Sequence, residues 1–327
     1  MKLRIIFNKI LGYISYLFKL EKSLGNPIIR EIEPTNMCMM DCIMCPRKNM
    51  KRKLGYMDFT LFKKIINQAK WNESIWLHHF GDPLMHPKIF EMIEYVKSRG
   101  INPRLSTNPN LLTEENCKKI FDSGLDMIVI SLDGIDNSTY KYFRGKNANY
   151  EEAVKKINRL IKMKNERKSK LIIELSMVKM KLNKDQGNKF ESIWNKKGVN
   201  RVIVKQFITF DGSDEKILTQ GDKETFSKSF KKENDYCSEP WAGFAINLDG
   251  IAVACCYDCH NKYIIGDLKK ESLKEIWNNT QMRKLRRQVR TKTLYKNELC
   301  RTCKDRKEMN LFNKLKEYTQ RFYIKLK

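Results

Sequence analysis

Between residues 30 and about 215 the chain alternates short apolar runs with longer charged segments, a rhythm that predicts strands alternating with helices. Met127-Ile128-Val129-Ile130-Ser131 is the plainest strand: its apolar residues run on without alternation, as a strand covered on both faces requires. Pro27 to Glu33, Ser74 to His78, Leu105 to Thr107, Leu171 to Leu175 and Arg201 to Phe207 read as further strands. Helical spacing marks Phe59 to Ala69, Ile89 to Ser98 with Gly100 as its stop, a stretch through Cys117 to Ser123, Tyr150 to Lys164 and Phe190 to Lys197. The repeated βα pattern predicts an α/β fold, a partial (β/α)6 barrel of the TIM kind, with reactive groups on loops that follow the strands.

The pattern changes after residue 215. Residues 216–236 are polar and read as a connector, and a second module begins at Cys237. There Ala242 to Asn247 and Ile251 to Ala254 flank Asp249-Gly250, a hairpin-turn signal. A helix is expected to start at Leu273 and continue toward Arg287; residues 237–305 form the small module, and 306–327 a basic terminal helix. Residues 1–29 form a basic amphipathic extension. In it Leu3, Ile6, Ile10, Tyr13, Ile14 and Leu17 recur at helical spacing among Lys2, Lys9 and Lys19. The uncharged run from Ile10 to Phe18 is too short to span a bilayer. The apolar stripe is expected to pack on the protein's own body, with peripheral contact of residues 1–22 to an anionic membrane as the alternative.

Chemistry enters with Cys38-Met39-Met40-Asp41-Cys42-Ile43-Met44-Cys45. A short loop with this spacing can deliver three thiolates to one compact centre. On a cubane cluster, three protein ligands leave one iron open for chemistry. Farther on, the predicted hairpin returns Cys255 toward Cys237, and Cys300-Arg301-Thr302-Cys303 supplies a close pair. Four thiolates would cover every vertex of a cluster, or equally hold zinc, and Cys256 or Cys259 could stand in for Cys255. Cys117, on a predicted helix, reads as a buried thiol, and His78 and His79 read as structural.

These residues resemble the radical S-adenosylmethionine (SAM) superfamily, in particular its members with a C-terminal SPASM or shorter twitch domain. The approach Ile32-Glu33-Pro34-Thr35-Asn36-Met37 and the exit Cys45-Pro46-Arg47 are similar to that family's cluster loop. Phe80-Gly81-Asp82-Pro83, Thr107-Asn108, Ile130-Ser131-Leu132-Asp133-Gly134 and Arg144-Gly145 follow in the family's order, and Cys237, Gly250, Cys255, Cys300 and Cys303 match its auxiliary-cluster pattern. Two positions depart: Met39 stands where Asn is common, and Asp82 where Glu is commoner.

The resemblance implies a [4Fe–4S] cluster on Cys38, Cys42 and Cys45 whose open iron chelates SAM. Reductive cleavage would then give a 5′-deoxyadenosyl radical for hydrogen abstraction. It implies that Asp82 accepts from the SAM ammonium, with the backbone at Gly81 and Pro83 close to the methionine. Asn108, Ser131 and Asp133 would meet ribose or ammonium groups, and Arg144 the carboxylate. It further implies an auxiliary [4Fe–4S] cluster on Cys237, Cys255, Cys300 and Cys303 that takes up an electron, and reduced flavodoxin or ferredoxin as donor. Glu174, Lys205 and Asp211 are the acid–base candidates of the late barrel loops. The expected substrate is a small molecule, sugar or glycan precursor, since no added N-terminal peptide-recognition domain is visible; the alternative is a peptide.

Composition adds limits. The 327 residues carry a formal charge of +26, but the lysines are spread over nearly every predicted helix, as on solvated faces, and no nucleic-acid module is visible. The cysteines gather at candidate metal loops without a secretory signal pattern, so a reducing, cytoplasmic setting is expected. The competing class is a zinc-stabilised basic binding or scaffold protein acting on RNA or at a membrane.

Overall fold

Six parallel strands follow one another in space as they do in sequence: β1 (Ile29–Ile32), β2 (Ser74–Leu77), β3 (Asn102–Thr107), β4 (Met127–Ser131), β5 (Ile172–Lys179) and β6 (Arg201–Gln206). The computed structural model describes residues 2–208, 210, 215–221, 237–301 and 303. Side chains on β4 are buried along nearly the whole strand, which is why its sequence lacks alternation. Between the strands lie α2 (Phe59–Ile66), α3 (Ile89–Ser98), α4 (Glu114–Asp122), α5 (Asn137–Arg144), α6 (Tyr150–Glu166) and α7 (Gly187–Trp194), preceded by α1 (Lys2–Leu17). Asp58, Thr113, Asp136 and Asn149 each accept a backbone N–H with a side-chain oxygen at the start of α2, α4, α5 and α6. The sheet is a partial barrel, with one core of Ile, Leu, Val, Phe and Met between strands and helices.

The second module does not stand apart from this sheet. β7 (Phe244–Ile246) pairs parallel with β1, and β8 (Ile251–Val253) and β9 (Ile264–Asp267) continue antiparallel beyond it, giving nine strands in one sheet. The turn at Asp249-Gly250 joins β7 to β8 as the sequence predicts.

Several expectations need correction. The helix expected from Leu273 toward Arg287 is two helices, Leu273–Trp277 and Thr280–Arg290, because Asn279 caps the second by accepting from the Met282 N–H. Helix α5 and strand β9 lack a run of apolar residues long enough to read from sequence. On α1 only the second half of the expected packing stripe turns inward: Tyr13 packs against the core, and Ile14 and Leu17 are half-buried. The helix buries Ile5, Asn8, Lys9, Gly12, Ser15 and Tyr16, while Leu3, Ile6 and Ile10 are exposed. Its polar side chains explain the orientation: Asn8 Oδ1 accepts from the Asn26 N–H at 2.6 Å, and Ser15 Oγ from the Leu24 N–H at 2.8 Å. The proposed basic helix 306–327 lies outside the described residues, as does most of the connector 216–236.

Candidate active site

Cys38, Cys42 and Cys45 follow β1 and face a cavity of about 210 Å³, whose wall also holds Gly81, Asp82, Asn108, Ser131, Asp133 and Arg144. Each of these groups stands at or beyond the C-terminal end of a strand or of α5, so side chains distant in sequence converge. Two glycines permit the close packing. At Gly81 φ is +130°, and a Cβ would lie 2.4 Å from the Thr35 carbonyl oxygen on the way into the cysteine loop. At Gly145 φ is +88°, and a Cβ would lie 2.9 Å from Asp41 within that loop. The end of α5 also holds the loop directly: Ile43 N–H donates to Phe143 O at 3.0 Å and Asp41 N–H to Arg144 O at 3.3 Å.

Asp82 is the most constrained carboxylate of the cavity. It accepts from Thr107 Oγ1 (2.8 Å), Asn108 N (2.9 Å), Asn108 Nδ2 (2.6 Å) and Leu84 N (3.1 Å), while its own N–H donates to Met37 O at 2.8 Å. Burial raises its carboxyl to about 6 against the opposing pull of these hydrogen bonds. Asp133, fully buried, accepts from the Val178 N–H at 2.7 Å and pairs with Arg144 at 2.5 Å. Arg144 reaches Cys42 Sγ at 3.7 Å, and burial, which opposes its charge, is outweighed by Asp133 and Cys42, so its charge is held more firmly than usual. Its Nε is buried and makes no hydrogen bond among the described residues. Burial pushes the thiols of Cys38 and Cys45 up to about 12 and about 11; they hold protons at neutral pH, which a metal would have to displace.

A second, smaller cavity, of about 40 Å³, is lined by Cys237, Cys255, Cys300 and Cys303 with Tyr257, Leu285, Leu294 and Phe210. Cys256 and Cys259 are absent from that lining, so of the alternative sets the geometry gathers the one with Cys255. Burial and the neighbouring Cys256 thiol raise Cys255, the hydrogen bond from Cys256 contributing most. Among the described residues, no three Cys, His, Asp or Glu side chains lie close enough to hold a single metal ion. Phe210 lines both cavities, its ring centroid 5.8 Å from Phe80 and 6.1 Å from Tyr257.

A buried polar chain also links the two sites. Arg52 donates to both oxygens of the fully buried Glu33 (2.6 and 2.7 Å) and to Cys259 O (3.0 Å). His79 bonds Asn247 Oδ1 and Cys256 O, while Glu33 also accepts from the Phe80 and Leu248 N–H groups. His78 stacks on Trp76 with centroids 4.8 Å apart, and burial lowers its imidazole to about 3, so it stays neutral. Sequence reasoning missed Thr107, Arg52 and Phe210 in these roles; Thr107 stands beside a recognised motif, whereas nothing in the sequence singles out Arg52 or Phe210.

Three candidates fall outside both linings, and a fourth lies outside the described residues. Glu174 is buried on β5 against Arg201 (3.5 Å) and Lys205 (3.7 Å), and neither Glu174 nor Lys205 lines either cavity. No acid–base role follows from that placement. Pro83 is buried behind Asp82 at the start of a short turn of helix, outside the lining, and Asp211 lies outside the described residues.

The radical SAM superfamily model matches residues 32–175, and the SPASM iron–sulfur cluster-binding domain matches residues 237–304. The chain belongs to the radical SAM superfamily. Its C-terminal part matches a SPASM-type iron–sulfur cluster-binding domain, and its architecture is that of radical SAM enzymes. This sets aside the zinc-stabilised scaffold reading.

Among curated relatives, the tungsten-containing aldehyde ferredoxin oxidoreductase cofactor-modifying protein of Pyrococcus furiosus is 34% identical over 31% of this chain and 30% of its own. The AdoMet-dependent heme synthase of Nitratidesulfovibrio vulgaris is 32% identical over 42% and 38%. The chain thus spans about a third of these relatives' length. Mycofactocin maturase MftC of Mycolicibacterium smegmatis is 21% identical over 80% of this chain and 73% of its own. In fold the chain is similar to Streptococcus suis SuiB bound to precursor peptide SuiA (TM-score 0.65, 15% identity, 89% of this chain and 74% of that one). It is also similar to BtrN in complex with AdoMet and 2-DOIA (TM-score 0.58, 17% identity, 85% and 94%).

Membership implies a main cluster, SAM and an auxiliary cluster. The residues fit them. Three thiols and a buried, donor-locked carboxylate share one cavity, the Arg144 guanidinium stands over a cysteine sulfur, and four more thiols share the second cavity.

Proposed function

We propose that this protein is a peptide-modifying radical SAM enzyme that carries out a net oxidation, such as a cross-link or dehydrogenation within a peptide. The observation carrying the oxidation is that the three-cysteine and four-cysteine cavities share Phe210 as a wall. Bound there, the main cluster and SAM would supply reductive carbon–sulfur cleavage and hydrogen-atom abstraction, and the fully ligated auxiliary cluster a sink for the electron left behind.

The chain's own residues bind, orient and shield. Asp82, held by four donors from Thr107, Asn108 and Leu84, would present a carboxylate of set direction to the SAM ammonium. Asn108, Ser131 and the Asp133–Arg144 pair offer polar contacts along the same wall, and Met40, Met44, Phe80 and Phe210 keep water from the reacting bond. Support for a peptide comes from relatives alike over most of the chain: one is named a maturase, and SuiB is bound to a precursor peptide. A small-molecule substrate is the second reading, favoured by the likeness to BtrN in complex with 2-DOIA. The proposal includes reduced flavodoxin or ferredoxin as donor and a cytoplasmic, reducing setting.

Anaerobically reconstituted protein with dithionite, SAM and the short peptides encoded beside its gene is the test. A peptide lighter by two hydrogens, formed with 5′-deoxyadenosine, is the expected result. Unchanged peptides with oxidation of an aminocyclitol would transfer the proposal to small molecules. Absence of SAM cleavage under all conditions would end both readings.

A further inference from the structure

Helix α1 has its chemistry turned inside out. A surface helix ordinarily buries its apolar stripe and shows its polar one. Here Asn8, Lys9, Gly12 and Ser15 face the protein beside Ile5 and Tyr16, while Leu3 (84% exposed), Ile6 (45%), Phe7 (61%) and Ile10 (44%) lie on the opposite side at helical spacing, with Phe18 (71%) just beyond the helix end. The helix cannot simply roll over. Asn8 and Ser15 are bonded to the returning chain at Asn26 and Leu24, Lys9 pairs with Glu73, and the Arg4 guanidinium lies 4.0 Å from the centre of the Trp71 ring. At Gly25 even a Cβ would approach Gly12 N to 3.0 Å, so the buried side of the helix lies tight against the body. The outward stripe is therefore a fixed feature of the folded surface.

Charge selects what covers it. The first twenty residues contain no carboxylate and, besides Lys9, which is buried against Glu73, carry Lys2, Arg4 and Lys19; the whole chain carries +26. Two copies meeting through this face would bring like charges together, whereas an anionic lipid surface supplies both apolar depth and opposite charge. The 16-residue helix is about 24 Å long at 1.5 Å per residue, short of a hydrocarbon core. No described helix is long and apolar enough to cross a membrane. Lying in the plane of the interface satisfies its length, its stripe and its charge together.

We propose that the outward face of α1 is an interfacial anchor that rests the protein on an anionic lipid bilayer. The anchor is independent of the substrate assigned above. Flotation of the full chain with vesicles of phosphatidylcholine, alone or mixed with phosphatidylglycerol, is the test. The wild type is expected to float with the mixed vesicles and to be released by salt. Phe7→Glu and Ile10→Glu, both at exposed positions, should each lower the partition about tenfold or more, with unchanged far-ultraviolet circular dichroism and iron content. Equal flotation of wild type and both variants would overturn the proposal, as would no flotation with either vesicle. A stable wild-type dimer in sedimentation velocity, lost in Phe7→Glu and without lipid binding, would reassign the stripe to self-association and likewise overturn it.

Discussion

At the scale of single residues, Asp82 shows how a fold tunes a carboxylate for a cation. Burial raises its proton affinity to about 6, while four hydrogen bonds fix its direction. Above that value the group is charged and can hold an ammonium; below it the charge is lost. SAM-dependent 5′-deoxyadenosine formation should therefore fall as pH drops through about 6. The sign for stability is the reverse. The folded value lies above the ordinary carboxyl value of 3.8, so the ion costs the metal-free fold nothing at low pH and progressively more as pH rises from there to about 6. Asp82→Asn should consequently remove this pH dependence from the metal-free protein's stability, while its amide nitrogen leaves buried donors unsatisfied, and should lower SAM cleavage about tenfold or more, since a hydrogen bond to a charged group contributes about 1.5–3 kcal/mol. Parallel melting curves and product assays check the two halves. The cysteine spacing and the position of Asp82 were legible in sequence because they are local. The hydroxyl of Thr107, 25 residues away, became legible only when the sheet brought β2 and β3 side by side.

Among elements, the connection between the two modules is carried by Arg52, Glu33 and the segment around Cys259. Arg52 lies in an unremarkable basic run, Lys51-Arg52-Lys53, where sequence gives no reason to separate one cation from its neighbours. Folding singles it out: its guanidinium satisfies the fully buried Glu33 carboxylate through both oxygens and reaches Cys259 O as well. Arg52→Met should destabilise the protein by about 3–5 kcal/mol in denaturant titration, because the buried carboxylate is left without its counter-charge. Arg52→Lys should recover only part, since an ammonium cannot make the paired geometry. The same physics explains which elements were misjudged. α5 and β9 are defined by pairing and capping, and the break at Asn278–Asn279 by a side-chain cap, none of which interrupts the apolar pattern strongly enough to read. Strand β4 and helix α3 were legible because burial dictates their sequences.

Across the whole molecule the two modules share one sheet through the parallel pairing of β1 with β7. A chain ending at residue 236 would leave the apolar edge of β1 unpaired, with Ile29 and Ile32 beside open N–H and C=O groups. Such a chain should aggregate on expression, whereas replacing the four cysteines that line the second cavity by Ser should leave the protein soluble; size-exclusion profiles separate the cases. Sequence suggested a boundary at Cys237 because composition changes there, but hydrogen bonding crosses it. The pairing also sets a timetable. Glu33 meets Leu248 across 215 residues, and at about 5–20 residues per second a ribosome needs on the order of ten seconds or more to supply that partner. Throughout that interval the nascent chain holds one strand edge open, so its yield in the cell depends on how quickly translation closes the gap and on whatever shelters the edge meanwhile.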